Sequence, residues 1–201
     1  MSEQHGVTEH HVPTWDVTAS GGLETAWVEL GGAPPAPSGL RARGRAVGTD
    51  PGPYWLSYAL ETDEQLLTRH LTVRIEDAHR VRELDLRRST AGHWTVDGRP
   101  RPDLEGALDC DLGLCPLTNT MPVLRHGLHR GPGEHAFLMA WVSVPDLAVR
   151  PSRQTYTHLR TTAGGGALVR YASGDFAADV EFDADGLVVD YPQLARRRVT
   201  A

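Results

Sequence analysis

The sequence predicts an all-β, mostly antiparallel fold with one short helix. Apolar and polar residues alternate with a period of two, as in Leu71, Val73 and Ile75 with polar residues between them. Such alternation is typical of a sheet with one buried face. The dipeptides Asp97-Gly98 and Asp185-Gly186 predict tight turns at strand ends, because glycine accepts positive φ without steric cost. Helical periodicity is nearly absent, so strands are expected to dominate.

The individual strands follow from the same alternation. Residues expected on the buried face of further strands are Leu84, Leu86, Trp94, Val96, Phe176, Ala178, Val180, Phe182, Leu187, Val189 and Tyr191. The run from Ala136 to Val144 is apolar on both faces, which predicts a central strand. A helix is expected between Pro116 and His126 or around residues 63–67.

The length of the chain favours one domain. A chain of 201 residues is long enough for a single sizeable core. Residues 14–201 are predicted to form that domain, and residues 1–13 a flexible N-terminal tail. The proline-rich and glycine-rich segment from Gly31 to Gly39 is predicted to be a loop.

Composition excludes several functions. The net charge is −6, which argues against nucleic acid as the main partner. All 20 cations are arginine, so chemistry that needs lysine is excluded. The N-terminus lacks a basic start followed by an apolar segment, so a cytoplasmic location is expected. The longest apolar run, 136–142, is far below the roughly 18 residues of a membrane helix.

No catalytic, metal-binding or cofactor-binding pattern is recognised. The histidines are scattered, and no ligand set with zinc-type spacing occurs. Cys110 and Cys115 fit neither a CxxC redox site nor a zinc knuckle, and two reduced, partly buried thiols are expected. We therefore predict no metal, no cofactor and no covalent catalysis.

Asp109 and Asp111 are the strongest candidates for acid and base chemistry. On a strand they would share a face, with α-carbons about 6.6 Å apart. This separation would suit an inverting glycosidase pair. The alternative is structural, because inward acids at a strand end usually bond backbone amides or an arginine, here Arg69 or Arg125.

Arginines and aromatic rings leave two more alternatives open. Arg41, Arg43 and Arg45 would lie on one face of a strand, where they could meet anionic head groups or stay solvated. Strand aromatics such as Trp94 and Tyr156 could fill a core or line a hydrophobic cavity.

Several longer segments carry a family resemblance that spans residues 15–197. They are GLETAWVEL (22–30), RGRAVG (43–48), YWLSYALETDEQLLTRHLTV (54–73), HWTVDG (93–98), LDCDLGLCPLTNTMPVLR (108–125), WVSVPDLAVRPSRQTY (141–156) and FDADGLVVDYPQLARR (182–197). On these segments the chain resembles the bacterial family of putative glycolipid-binding proteins, once classed as a domain of unknown function.

The resemblance implies a spiral β-roll, in which an antiparallel sheet curls around a single helix, and it implies a homodimer. It also implies a hydrophobic cavity for an amphipathic or glycolipid-sized ligand. The family's polar motif residues correspond here to Asp63, Arg69, Asp109, Asp111, Thr118, Asn119, Thr120, Arg125, Gln154 and Tyr156.

The sequence thus predicts a cytoplasmic, non-enzymatic β-roll that binds an amphipathic small molecule or glycolipid. The expected ligand contacts are Arg69, Trp94, Asp109, Asp111, Asn119, Arg125, Gln154 and Tyr156. Two alternatives stay open: a carboxylate-based hydrolase of a glycoside-like substrate that uses Asp109 and Asp111, and a dimerisation module without a small ligand.

Overall fold

A computed structural model describes residues 8–32 and 38–199. Within these ranges the chain forms sixteen β-strands and one α-helix. The strands are Thr8–His11 (β1), Thr14–Val17 (β2), Gly22–Gly31 (β3), Leu40–Gly48 (β4), Tyr54–Thr62 (β5), Thr68–Glu76 (β6), Val81–Arg88 (β7), Trp94–Val96 (β8), Arg99–Pro100 (β9), Asp109–Leu112 (β10), Glu134–Val142 (β11), Val149–Thr161 (β12), Ala167–Ser173 (β13), Phe176–Phe182 (β14), Val188–Tyr191 (β15) and Ala195–Arg197 (β16). The helix is Thr120–Arg125 (α1).

All strands belong to one large, open sheet. Its order is β10, β11, β12, β13, β14, β15, β16, β2, β3, β4, β5, β6, β7, β8 and β9, and β1 pairs with β3 beside this path. Strands β10 and β11 pair in parallel, and every other pair formed by the described strands is antiparallel. The predicted class, mostly antiparallel all-β with one short helix, is confirmed.

The helix lies in the first of the two predicted places. A 3-10 turn over Pro116–Asn119 leads into α1, which ends before Gly127 at φ 64°. Residues 63–67 form a turn instead. There the Asp63 carboxylate accepts hydrogen bonds from the amides of Gln65 (3.0 Å) and Leu67 (2.9 Å), and such bonds compete with helical ones.

The C-terminal hairpin has the predicted turn at Asp185-Gly186, where Gly186 has φ 74°. In its second strand Leu187 and Tyr191 are buried as predicted, but Val188 is buried in place of Val189. The register shifts at Glu181 and Phe182, so Val188 faces the core and Val189 is half-buried. A bulge of this kind opposes two residues to one, which period-two alternation does not anticipate.

The N-terminal segment contributes a strand. Thr8–His11 pairs with Val28–Gly31 of β3, so residues 8–11 of the predicted tail have a place in the sheet. Residues 1–7 lie outside the described residues, as do residues 33–37 of the predicted loop.

The core consists of two apolar clusters joined by the segment 116–128. One cluster packs between β2 to β8, β10 and the helix and includes Leu117, Met121 and Leu124. The other lies on β11 to β15 and includes Val123 and Leu128. Strand β11 contributes to both clusters, as the apolar run from Ala136 predicts. The helix segment thus holds residues from distant strands together.

Candidate functional site

A buried ion pair occupies the centre of the predicted site. The Asp109 side chain is fully buried and accepts two hydrogen bonds from Arg125, at 2.8 and 2.5 Å. The same guanidinium donates to the carbonyl of Leu66 at 3.1 Å and stands over the ring of Phe137, 5.6 Å from its centroid. Arg125 thus ties the helix end to β10 and to the turn after β5.

A second group of polar side chains surrounds Asp111. Its carboxylate accepts hydrogen bonds from Gln154 Nε2 at 2.5 Å and from Thr118 at 3.2 Å. The Tyr156 hydroxyl donates to Asn119 Oδ1 at 2.8 Å and lies 3.3 Å from Gln154 Oε1. Burial is the main cause that raises the pKa of Tyr156, and the charge of Asp111 adds to it, so the phenol stays a donor. These five residues form one connected network.

The Tyr156 hydroxyl is expected to stabilise the fold measurably. Replacing Tyr156 with Phe leaves Asn119 Oδ1 buried without its donor, and an unpaired buried acceptor costs about 1 to 3 kcal/mol. Urea unfolding followed by circular dichroism measures this loss. Tyr191→Phe serves as the matched control at another buried tyrosine, whose hydroxyl makes no hydrogen bond to the part of the chain that the structure describes. A Tyr156→Phe variant as stable as the wild type would contradict the role assigned to the network.

Two predicted site residues lie apart from this network. Arg69 forms an ion pair with Asp63 at 2.7 Å and donates to the carbonyl of Ser89 at 2.8 Å. Trp94 is buried, and its indole donates to the carbonyl of Ala107 at 3.0 Å. The structure thus brings together Asp109 with Arg125, and Asp111 with Asn119, Gln154 and Tyr156. Arg69 and Trp94 bond other parts of the chain.

The geometry at Asp109 does not favour the hydrolase alternative. A catalytic acid or base must reach the proton that it transfers. Asp109 has no exposed surface and both of its carboxylate oxygens bind Arg125. Asp111 is partly exposed, and its oxygens bond Gln154 and Thr118. The pair has the bonding expected of structural carboxylates.

An open groove lies on the solvent-facing side of β3 to β7. It has a volume of about 890 Å³, and its lining includes Trp27, Arg43, Arg45, Thr72 and Asp85. Trp27 is 56 % exposed, which is unusual for a side chain that is normally buried. The groove is therefore a large, accessible concave surface that contains an exposed aromatic ring.

Strand register explains the shape of the groove. Trp27 pairs with Arg43, Arg43 with Ala59, Ala59 with Thr72, and Thr72 with Asp85. The small residues on β5 and β6 form the floor, and the larger ones on β4 and β7 form the walls. The two walls are three strand spacings apart, about 14 Å between backbones.

The two walls carry opposite charge. On the β4 wall, Arg43 and Arg45 are exposed and make no ion pair or hydrogen bond with any part of the chain that the structure describes. On the β7 wall, Glu83 lies 3.4 Å from Arg74, and Asp85 lies 2.7 Å from Arg87. The β4 wall thus offers guanidinium groups that are free to donate hydrogen bonds. The β7 wall offers carboxylates that ion pairs already hold in position.

A buried carboxyl group was not identified from the sequence. Glu24 on β3 is 1 % exposed, and its Oε1 accepts hydrogen bonds from the Tyr58 hydroxyl at 2.7 Å and the Cys115 thiol at 3.1 Å. Burial raises the pKa of Glu24 to about 7, and the two hydrogen bonds oppose this shift. Cys110 and Cys115 are free thiols, and both are buried.

Residues 8–32 and 38–199 contain neither a cluster of metal-ligating side chains nor a helix that could span a membrane. Within these ranges no three histidine, cysteine, aspartate or glutamate side chains are placed to hold a metal ion. No helix in them has the length and apolar character needed to cross a membrane.

Comparison with known proteins identifies the family. No curated protein matches the chain. Among solved structures, the chain is similar to a crystal structure of a DUF1089 family protein from Pseudomonas aeruginosa, with 32 % identity, a TM-score of 0.67, and coverage of 86 % of this chain and 92 % of that one. A family model described as putative glycolipid-binding matches residues 12–197. The chain therefore belongs to the family of putative glycolipid-binding proteins.

Proposed function

We propose that this protein binds an amphipathic, glycolipid-type ligand without chemical conversion, and that the sugar head lies in the groove over β3 to β7. The family description names glycolipids as the ligand class. The observation that carries the proposal is the exposed Trp27 beside the unpaired Arg43 at the rim of a groove of about 890 Å³.

The groove has the chemistry that a sugar requires. The ring face of a tryptophan offers a large flat apolar surface against which the C–H face of a sugar can pack. Sugar hydroxyls both donate and accept hydrogen bonds, so they match guanidinium groups on one wall and carboxylates on the other. The volume of the groove falls within the range of small-molecule sites, about 300 to 1,000 Å³.

The buried network is less suited to the head group. Asp109, Gln154 and Tyr156 are each at most 1 % exposed. Their polar atoms bond Arg125, Asp111, Asn119 or one another. A ligand would have to break these bonds before making its own. Ligand contact by the eight residues predicted from the sequence stays a prediction.

Binding of decyl maltoside below its critical micelle concentration tests the proposal. Isothermal titration calorimetry is expected to detect binding to the wild type. Trp27→Ala is expected to weaken it about tenfold, because an anchoring aromatic in a binding site contributes more than 1 kcal/mol. Phe176→Ala is the matched control, since Phe176 is an exposed ring on β14 outside the groove.

The arginine wall is tested in the same assay. Arg43→Ala is expected to weaken binding about threefold to tenfold, because a hydrogen bond to a charged group contributes about 1 kcal/mol or more. Arg160→Ala is the control, because Arg160 is exposed on β12 and lies outside the groove. A wild type that binds neither maltose nor decyl maltoside would overturn the proposal and favour the dimerisation module.

The curvature of the sheet is also part of this proposal. We infer that the sheet curls around the helix as a spiral β-roll. In support, the Thr68 hydroxyl on β6 accepts a hydrogen bond from the Cys110 amide on β10 at 2.9 Å, although ten strands lie between β6 and β10 in the sheet order. The homodimer and the cytoplasmic location stay predictions, and sedimentation analysis tests the first.

A further inference from the structure

A row of apolar side chains continues the outer face of the sheet beyond the groove. Leu23 pairs with Val47 across β3 and β4, and Val47 pairs with Trp55 across β4 and β5. Trp55 is 68 % exposed and Val47 is 47 % exposed, while Leu23 is half-buried. We call these three residues the apolar row. Three adjacent apolar side chains on an exposed sheet face form a continuous patch. Such a patch often indicates a binding surface.

The apolar row lines a second concavity that is continuous with the groove. This concavity has a volume of about 540 Å³ and contains Leu23, Val47 and Trp55. Arg45, Ser57 and Arg74 line both concavities. The row lies four residues along each strand from the row that contains Trp27, which is a distance of about 13 Å. One ligand molecule can therefore reach both.

The charges at the boundary make the two parts chemically different. Arg74 forms an ion pair with Glu76 at 2.7 Å, and Glu76 is the cross-strand neighbour of Trp55. The carboxylate next to the apolar row is thus drawn toward Arg74, on the side of the groove. The groove is lined mostly by polar side chains, whereas in the second concavity Leu23, Val47 and Trp55 form an apolar surface beside Arg45, Arg74 and Glu76.

We propose that the apolar row is the tail half of one amphiphile site, and that it binds a single alkyl or acyl chain whose sugar head occupies the groove. This inference rests on the proposed function, because it assigns the groove to the head. It adds the class of ligand: a molecule with a compact sugar head and one apolar chain long enough to cover about 13 Å of strand.

A chain-length series tests the tail site separately from the head site. Affinities of maltose and of hexyl, octyl and decyl maltoside are measured by calorimetry below the micelle concentrations. In the wild type, each added pair of methylenes is expected to tighten binding about fourfold. This corresponds to roughly half of the binding free energy that full burial of the pair would give, because the row is open to solvent on one side.

Trp55→Ser provides the decisive variant. It is expected to leave maltose binding unchanged and to reduce the gain per pair of methylenes to less than twofold. Trp27→Ala is expected to weaken maltose and every maltoside by a similar factor. Phe176→Ser is the control for loss of an exposed ring elsewhere on the sheet. Thermal unfolding of each variant verifies that the fold is intact.

The outcomes separate the two proposals. If maltose binds and chain length has no effect in the wild type, the tail site is overturned and the head site stands. If chain length matters and Trp55→Ser leaves the gain unchanged, the tail binds elsewhere and the inference is again overturned. If neither maltose nor any maltoside binds, both proposals fail.

Discussion

Replacing Arg125 with methionine is expected to lower the free energy of unfolding by about 3 to 5 kcal/mol, the cost of leaving one partner of a buried ion pair unpaired. Asp109 is fully buried, and only 12 % of the Arg125 side chain is exposed. Both oxygens of Asp109 bond Arg125, so the variant would bury a carboxylate with no cation. Urea unfolding followed by fluorescence and circular dichroism measures the change.

A double variant distinguishes the ion pair from packing effects. In Asp109→Leu/Arg125→Met both charges are removed, and at least half of the lost stability is expected to return, because a hydrophobic replacement of a buried pair is often neutral. Arg69→Met is a matched control at the more exposed ion pair with Asp63. A loss below 1 kcal/mol in Arg125→Met alone would contradict the buried pair.

The second large effect concerns Glu24 and pH. Burial raises the pKa of Glu24 from 4.5 to about 7 in the folded protein. The folded state therefore holds its proton more tightly than the unfolded state. The stability that comes from this proton is fully present below pH 4.5 and is lost as the pH rises through 7. A shift of this size corresponds to about 3 kcal/mol.

Glu24→Gln removes this titration. The free energy of unfolding of the variant relative to the wild type is expected to rise by about 3 kcal/mol between pH 4 and pH 8. The glutamine side chain can also change the free energy of unfolding by an amount that does not depend on pH. Taking the difference between the values at pH 4 and pH 8 removes that amount. Glu61→Gln, on the exposed side of β5, is the control for loss of a surface carboxylate. A difference that stays constant with pH would show that Glu24 does not titrate in this range.

Local patterns predicted much of the fold. The alternation at Leu71, Val73 and Ile75 identifies β6 because each residue contributes directly to one face. The Asp185-Gly186 turn depends on φ at a single glycine, so it too can be read from the sequence. The parallel pairing of β10 with β11 could not be read from the sequence, because the helix segment separates the two strands and local sequence does not encode which strands pair.

The candidate site was predictable in part. The spacing of Asp109 and Asp111 predicts that both lie in one strand, as they do. Of the two arginines predicted as possible partners of these acids, Arg125 binds Asp109 and Arg69 binds Asp63 instead. The groove was not predicted, because it depends on the register of five strands. Ala26, Trp27 and Val28 are all apolar, so the sequence of β3 does not show which of them faces solvent; in the structure Ala26 and Val28 are buried and Trp27 is exposed.

We propose that the ligand lies on the outer face of β3 to β7. Titration of ¹⁵N-labelled protein with decyl maltoside, followed by NMR chemical shifts, distinguishes this location from the buried network. We expect shifts at the Trp27 and Trp55 indoles and along β4 and β5, with the side-chain amides of Asn119 and Gln154 unchanged. Shifts at Asn119 and Gln154 with an unperturbed outer face would contradict it and place the ligand in the buried network.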